Sequence, residues 1–334
     1  MGFLSLLTAA VLQMRGADSG PDRREPYLRS MATVMGPMPG DQKRCALDLQ
    51  VHGESEAGGV VRRQISYQSE PGGRVPAWLL LPAGAGGGDG RRHFPGVLAL
   101  HQTHAGGRNV VVGLGNSPDD EYGLELARRG YVVLAPPYPH LAGYAPDLER
   151  LGYVSGTMKA VWDNRRGLDV LESLPFVRTN GFGCIGHSLG GHNGLFTAAW
   201  DPRIRVVVSS CGLDSFRDYY DGNPAVWMPG KGWCQERYMP RLAQYRGRLD
   251  EIPFDFPQVL AAIAPRRVRL FAPLGDGNFR WQSVERVAAD ARALVTRAGG
   301  VPDLEVAHPA TGHRFAPEAR EQAYRAMDEV LKAP

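Results

Sequence analysis

The sequence predicts an α/β fold: a mostly parallel central sheet with helices on both faces and an aromatic-rich, lid-like insertion. Three observations carry this. From about residue 59, β-rich runs alternate with amphipathic stretches, the pattern of a sheet covered on both sides. The run Phe94-Pro95-Gly96-Val97-Leu98-Ala99-Leu100 is apolar throughout, as a strand buried on both faces must be. Gly186-His187-Ser188-Leu189-Gly190 places a glycine-flanked serine where a strand pattern turns into a helix pattern.

The elements follow in order. Runs 60–67 and 75–81, joined across Glu70-Pro71-Gly72-Gly73, read as a hairpin at the leading edge of the sheet. Residues 84–90 form a glycine-rich loop, and 94–100 is the next strand, ending at His101. A helix over 119–129 has Ser117 as N-cap, Pro118 at its first position and acidic residues in its first turn. Strand 131–135 is stopped by Pro136-Pro137, and 158–174 carries Met158, Val161, Trp162, Leu168 and Leu171 at helical spacing. Strand 182–186, helix 189–200, strands 204–209 and 268–274, helix 283–297, strand 304–307 and helix 317–331 complete the alternation. It fails between 210 and 257, where Phe216, Tyr219, Tyr220, Trp227, Trp233, Tyr238, Tyr245, Phe254 and Phe256 crowd together. So long a loop in a compact domain is functional or disordered, and this aromatic content argues against disorder.

Length and charge bound the rest. A chain of 334 residues with 43% hydrophobic content buries a large core as one domain, here residues 59–334 with an insertion at about 211–257. Residues 1–58 read as an N-terminal extension, partly packed on the core. Its apolar stretch 3–11 suits a signal peptide or a plain helix equally, because no basic segment precedes it. The compartment, cytoplasmic or secreted, stays open. The 38 basic and 35 acidic residues are interspersed, which excludes the basic stripe of a nucleic-acid binder. Cys45, Cys184, Cys211 and Cys234 form no C-x-x-C pair, so neither zinc nor redox chemistry is signalled.

The serine motif defines a search. A strand-to-helix turn lifts Ser188 above the sheet, and glycines on either side remove the Cβ atoms that would collide there. Such a hydroxyl is a weak nucleophile until a base takes its proton. The expected chain order is Ser, then Asp or Glu, then His. His313 lies in Pro309-Ala310-Thr311-Gly312-His313, beyond the last strand, where a base can reach the serine; His308 suits a packed strand end. Asp276 lies just beyond the carboxyl end of the 268–274 strand. Asp250, Glu251 and Asp255 lie in the irregular insertion and Asp303 at the wrong end of its strand. The expected catalytic residues are therefore Ser188, Asp276 and His313. The expected oxyanion donors are the backbone N–H groups of Leu189 and of the turn after the 94–100 strand, with Thr103 the first choice and Gln102 the second. His101 and His104 lack a partner carboxylate or H-E-x-x-H spacing, so no metal is expected. Trp227 and Trp233 flank Pro229-Gly230-Lys231-Gly232, and one or both are expected to present a flat apolar face to substrate.

From about residue 60 onward the chain resembles the α/β-hydrolase superfamily, within it the dienelactone-hydrolase-like and acetyl xylan esterase-like group. The carrying stretches are Leu98-Ala99-Leu100-His101-Gln102-Thr103, the run from Arg129 through Pro136, Gly186 through Gly191, Ala264-Pro265-Arg266, Asp276-Gly277-Asn278-Phe279 and Gly312-His313. The resemblance implies a triad at Ser188, Asp276 and His313 with no metal or organic cofactor. The chain departs from it twice. Dienelactone hydrolases proper carry a cysteine nucleophile where this chain has Ser188, and related chains often have Asp in place of Pro137. The expected activity is carboxylic ester hydrolysis through an acyl-enzyme, on a small-molecule or polymer-linked ester. A peptidase or amidase with the same triad and a silent binding module are the competing readings. No propeller-like repeat, usual in prolyl-peptidase relatives, is present.

Overall fold

The structure, a computed structural model, describes residues 23–86 and 94–333. The apolar stretch 3–11 and part of the 84–90 loop lie outside the described residues. Among the described residues nine strands form one sheet: β1 Gln50–Ala57, β2 Val60–Glu70, β3 Gly73–Leu81, β4 Phe94–Leu100, β5 Val132–Ala135, β6 Val177–His187, β7 Ile204–Ser210, β8 Arg267–Phe271 and β9 Leu304–Ala307. Their spatial order is β1-β2-β3-β5-β4-β6-β7-β8-β9. The β1/β2, β2/β3 and β3/β5 pairs are antiparallel and all others parallel.

The expected hairpin is present but is not the edge of the sheet. β1, inside the segment read as an extension, pairs outside β2. Its residues are mostly exposed on both faces, so it has no apolar alternation from which it could be recognised.

The inner strands bury side chains on alternate faces. Leu98, Leu100, Val132 and Leu134 join one core, whereas Val97, Ala99, Val133 and Ala135 join the other. Against the first pack helices α1 (Glu25–Met35), α3 (Gly156–Ser173), α4 (Leu189–Trp200), α5 (Phe256–Ile263) and α6 (Trp281–Arg297). Against the second pack α2 (Tyr122–Arg128) and α7 (Pro317–Leu331). Parallel strands joined by right-handed crossovers place helices this way.

Helix boundaries follow their caps. The Ser117 hydroxyl accepts from the Asp119 N–H, but it starts a 3-10 turn, Pro118–Asp120, before α2 begins. The Ser155 hydroxyl accepts from the Met158 N–H at 3.1 Å and starts α3 earlier than its apolar spacing indicates. α5 is an addition to the sequence reading, and a capping box starts it: Asp255 accepts from helix N–H groups and the Gln258 side chain accepts from the Asp255 N–H. Among the described residues no helix is long and apolar enough to cross a membrane.

After β7 the insertion runs through short 3-10 turns, from Tyr219–Gly222 to Leu249–Glu251. Its aromatics pack together, Phe216 edge-on against Trp227 and Phe254 and tilted against Phe256, so most of them belong to the core rather than to a surface loop.

Candidate active site

The junction of β6 and α4 is a strained, glycine-lined turn. Ser188 has φ 50° and ψ −121°, a backbone conformation that a non-glycine residue keeps only when its surroundings impose it. The Ser188 N–H donates to the Ser210 carbonyl at 2.7 Å. A Cβ on Gly186 would lie 2.2 Å from the Gly190 carbonyl carbon, and one on Gly190 would lie 1.8 Å from the Leu100 oxygen. Glycine is required at both positions.

Two loops deliver the partners of the serine to the same edge of the sheet. The loop after β8 carries Asp276 and the loop after β9 carries His313. They are stitched by the Leu274 N–H donating to the Pro309 carbonyl and the Gly275 N–H to the Thr311 carbonyl at 2.9 Å. His313 Nδ1 lies 2.9 and 3.0 Å from the two Asp276 oxygens, and its Nε2 lies 2.9 Å from the Ser188 hydroxyl. An ionised carboxylate only accepts, so Nδ1 carries the proton and Nε2 is left to accept from Ser188. The Asp276 side chain is 1% exposed and also accepts from the Asn278 N–H at 2.8 Å and the Phe279 N–H at 3.2 Å. Burial pushes its carboxyl up. The hydrogen bonds from His313 and the two backbone amides outweigh this and hold it below the usual carboxylate range.

The competing carboxylates are committed elsewhere. Asp255 caps α5, Asp250 faces Arg217, Glu251 faces Arg248, and Asp303 pairs with Arg267 and Arg269. His308 is held between the Ala272 carbonyl and Glu285, both at 2.8 Å.

The turn after β4 is pinned from beneath. His101 Nδ1–H donates to the Gln102 carbonyl at 2.7 Å, and its Nε2 accepts from the Tyr138 N–H at 3.0 Å. Burial lowers its pKa to about 4, so the ring stays neutral and serves as a brace. In a trans peptide the next N–H points opposite the gripped carbonyl, so the Thr103 N–H faces away from His101. Gln102 is buried and Thr103 exposed, and both line the pocket that contains Ser188 and Leu189. As first residue of α4, Leu189 has an N–H without an acceptor inside the helix. His104 is exposed and its Nδ1 accepts from the Gly106 N–H.

The pocket is a cleft of about 320 Å³. Trp233 lines it, 6% exposed, with its indole stacked on His192 at 4.3 Å and 12°. Trp227 does not line it: fully buried, it meets Phe216 and Tyr219 edge-on. The expectation of a substrate-facing surface is corrected for Trp227: the turn after it, closed by the Lys231 N–H to the Met228 carbonyl and the Gly230 N–H to the Cys234 carbonyl, leaves Trp227 packed inward against Phe216 and Tyr219. Further lining residues were not assigned to the site from sequence: His187, Tyr219, Tyr220, Gln235, Tyr238, Asn278 and Phe279. Asn278 and Phe279 directly follow Asp276, and His187 precedes Ser188, so adjacency was their signal. His187 is kept neutral, its pKa lowered by burial to about 3, with its ring centroid 5.0 Å from that of His313.

Among the described residues, Cys211, Asp276 and His313 offer metal-ligand atoms within 4.8 Å of one another. Burial pushes the Cys211 thiol pKa up, keeping it protonated, and His313 Nδ1 donates to Asp276, so these donors serve each other. All four cysteines are free thiols.

A largely parallel sheet with an antiparallel leading segment, bearing a serine turn between β6 and α4, defines the α/β-hydrolase fold, and this chain has that fold. No family model matches the chain. It is 25% identical over 270 residues to the Bacillus subtilis (strain 168) protein named "Putative hydrolase YtaP", covering 77% of this chain and 84% of that protein. Among solved structures it is similar to a glucuronoyl esterase from Solibacter usitatus, at TM-score 0.73 and 19% identity over 93% of this chain and 92% of that one. It is also similar to acetyl xylan esterase 1 from Thermoanaerobacterium sp. JW/SL YS485, at TM-score 0.61 and 17% identity over 93% and 94% of the two chains.

Proposed function

We propose that the chain is a serine carboxylic ester hydrolase that works through an acyl-enzyme on Ser188. The observation that carries this is the continuous hydrogen-bond chain from the Ser188 hydroxyl through His313 to Asp276. Residues 59–334 are assigned as the catalytic unit, with the 211–257 insertion supplying one wall of its pocket.

In this mechanism the Ser188 oxygen attacks the ester carbonyl while His313 Nε2 takes its proton. The imidazolium so formed is stabilised by Asp276, whose depressed pKa keeps it ionised. Negative charge develops on the carbonyl oxygen and is met by the Leu189 and Thr103 N–H groups, with the α4 N-terminus adding its dipole. His313 then returns the proton to the departing alcohol. Water, deprotonated by the same imidazole, releases the acid and restores Ser188. The esterases of the same fold support an ester over an amide substrate.

The test pairs p-nitrophenyl esters of increasing acyl length with peptide p-nitroanilides, alongside labelling by a fluorophosphonate. Ester turnover with a pre-steady-state burst, and one adduct located on Ser188, are expected. Ser188→Ala should abolish both. Anilide turnover matching ester turnover would move the assignment to an amidase, and an adduct on another residue would remove Ser188 from the mechanism.

A further inference from the structure

The rim of the pocket carries a strained turn that takes no part in the triad. Tyr220 has φ 47° and ψ 44°, and Asp221 has φ 56° and ψ 26°, two successive non-glycine residues in the left-handed region. For a bulky residue such as tyrosine that conformation is an outlier, and it persists only where the surroundings over-determine it.

Here they do. The Asp221 N–H donates to the Asp218 carbonyl at 2.9 Å and the Asn223 N–H donates to the Tyr220 carbonyl at 3.0 Å. The Asp221 carboxylate is gripped by Arg280, four residues beyond Asp276, which ties the turn to the loop that carries the acid. Yet the Tyr220 side chain is 49% exposed, so the strain is not offset by burial of the ring.

The ring stands at the pocket mouth. Tyr219 and Tyr220 both line the cleft, their rings perpendicular with centroids 4.7 Å apart. Tyr219 belongs to the inner wall, with Trp233 at 5.6 Å and Phe279 at 6.1 Å. Tyr220 extends that wall outward. None of the pocket-lining residues is Asp, Glu, Lys or Arg, and at the rim Asp221 and Arg280 neutralise each other.

We infer that Tyr220 is a specificity-determining residue whose ring binds the outer part of an extended, uncharged ester, one that leaves the cleft with a second flat ring. The inference rests on the proposed ester hydrolysis and names its substrate class. The shared chemistry is a flat, apolar ring face, supplied by an aryl group or by the C–H face of a sugar ring.

The experiment exploits the strain. Glycine adopts the left-handed region freely, so Tyr220→Gly relaxes the backbone while removing the ring. KM and kcat are measured on p-nitrophenyl acetate, on biphenylyl acetate and on an acetylated disaccharide, together with the melting temperature. The expected result is an unchanged or higher melting temperature and, for one or both extended esters, a KM raised roughly 3- to 10-fold relative to whatever change p-nitrophenyl acetate shows. The ester whose KM rises identifies the aryl or sugar source. Tyr220→Phe should retain wild-type KM. Unchanged KM on both extended esters, or an equal loss on all three with a lowered melting temperature, overturns the inference. So does a Phe variant as impaired as the Gly variant. If the wild-type enzyme hydrolyses none of the three, the proposed function fails and this inference with it. If it hydrolyses all three while Tyr220→Gly changes nothing, only the inference fails.

Discussion

Replacing Gly190 with alanine puts a methyl group where the Leu100 carbonyl already stands. The new Cβ would lie 1.8 Å from that oxygen and 2.6 Å from its carbon. Both atoms are backbone, at the end of a fully buried strand, so no side chain can swing aside. A close carbon–oxygen contact needs roughly 3.3 Å, so α4 and the end of β4 must separate by about 1.5 Å. That gap opens between the two parts of the proposed oxyanion site, Leu189 on α4 and the Gln102-Thr103 turn after β4. A misplacement of about 1 Å costs on the order of 100-fold in rate, close to 2.7 kcal/mol of transition-state stabilisation. Overpacking costs about 1–3 kcal/mol of stability in addition. The expected outcome for Gly190→Ala is therefore a loss of about 100-fold or more in kcat/KM on p-nitrophenyl acetate, with the fold retained by circular dichroism and a melting temperature lower by a few degrees. Activity within threefold of wild type at an unchanged melting temperature would refute the close approach of α4 to β4.

Four further outcomes are expected. Asp276→Asn should lower kcat/KM by about 10⁴-fold, because an amide donor facing Nδ1 selects the tautomer in which Nε2 cannot accept the serine proton; retention of a tenth of the activity would reject Asp276 as the acid. Because the folded carboxyl of Asp276 lies below its unfolded value of about 3.9, its stabilisation is present above that pH and is lost as pH falls through the lower folded value. The Asn variant should accordingly show a shallower loss of melting temperature on acidification than wild type. His313→Ala should inactivate, whereas His308→Ala should retain turnover and lose stability through its bonds to Ala272 and Glu285, with the reverse pattern rejecting the assignment. Trp227→Ala, removing a fully buried indole, should cost about 3–5 kcal/mol in denaturant titration; Trp233→Ala should instead raise KM for bulky aryl esters, and equal kinetic effects of the two would contradict their different placements.

What could be read from residues alone was whatever local chemistry dictates. The apolar runs at Val97–Leu100 and Val132–Ala135 announce strands buried on both faces, since nothing polar interrupts them. The glycines around Ser188 announce a turn that excludes Cβ atoms, and the order of Asp276 and His313 after it follows from which strands come later. β1 escaped because an exposed edge strand needs only a backbone partner. α5 escaped although Asp255 with Gln258 forms a capping box and Phe256, Val259, Leu260 and Ile263 fall at helical spacing, because it spans only eight residues and directly follows the irregular insertion.

Tertiary structure alone decided the spacing that makes chemistry possible and the direction of each insertion side chain. Ser188 and His313 are 125 residues apart in the chain, and 2.9 Å apart in space only because β6 and β9 end on the same edge of one sheet. Trp227 and Trp233 look alike in sequence, on either side of one glycine-containing stretch, yet one is sealed against Phe216 and the other lines the cleft. No periodicity runs through short 3-10 turns, so the facing of each residue there is settled by what it packs against. The same holds for Tyr220, whose left-handed backbone is imposed by Arg280 and the Asp218 carbonyl from outside its own dipeptide.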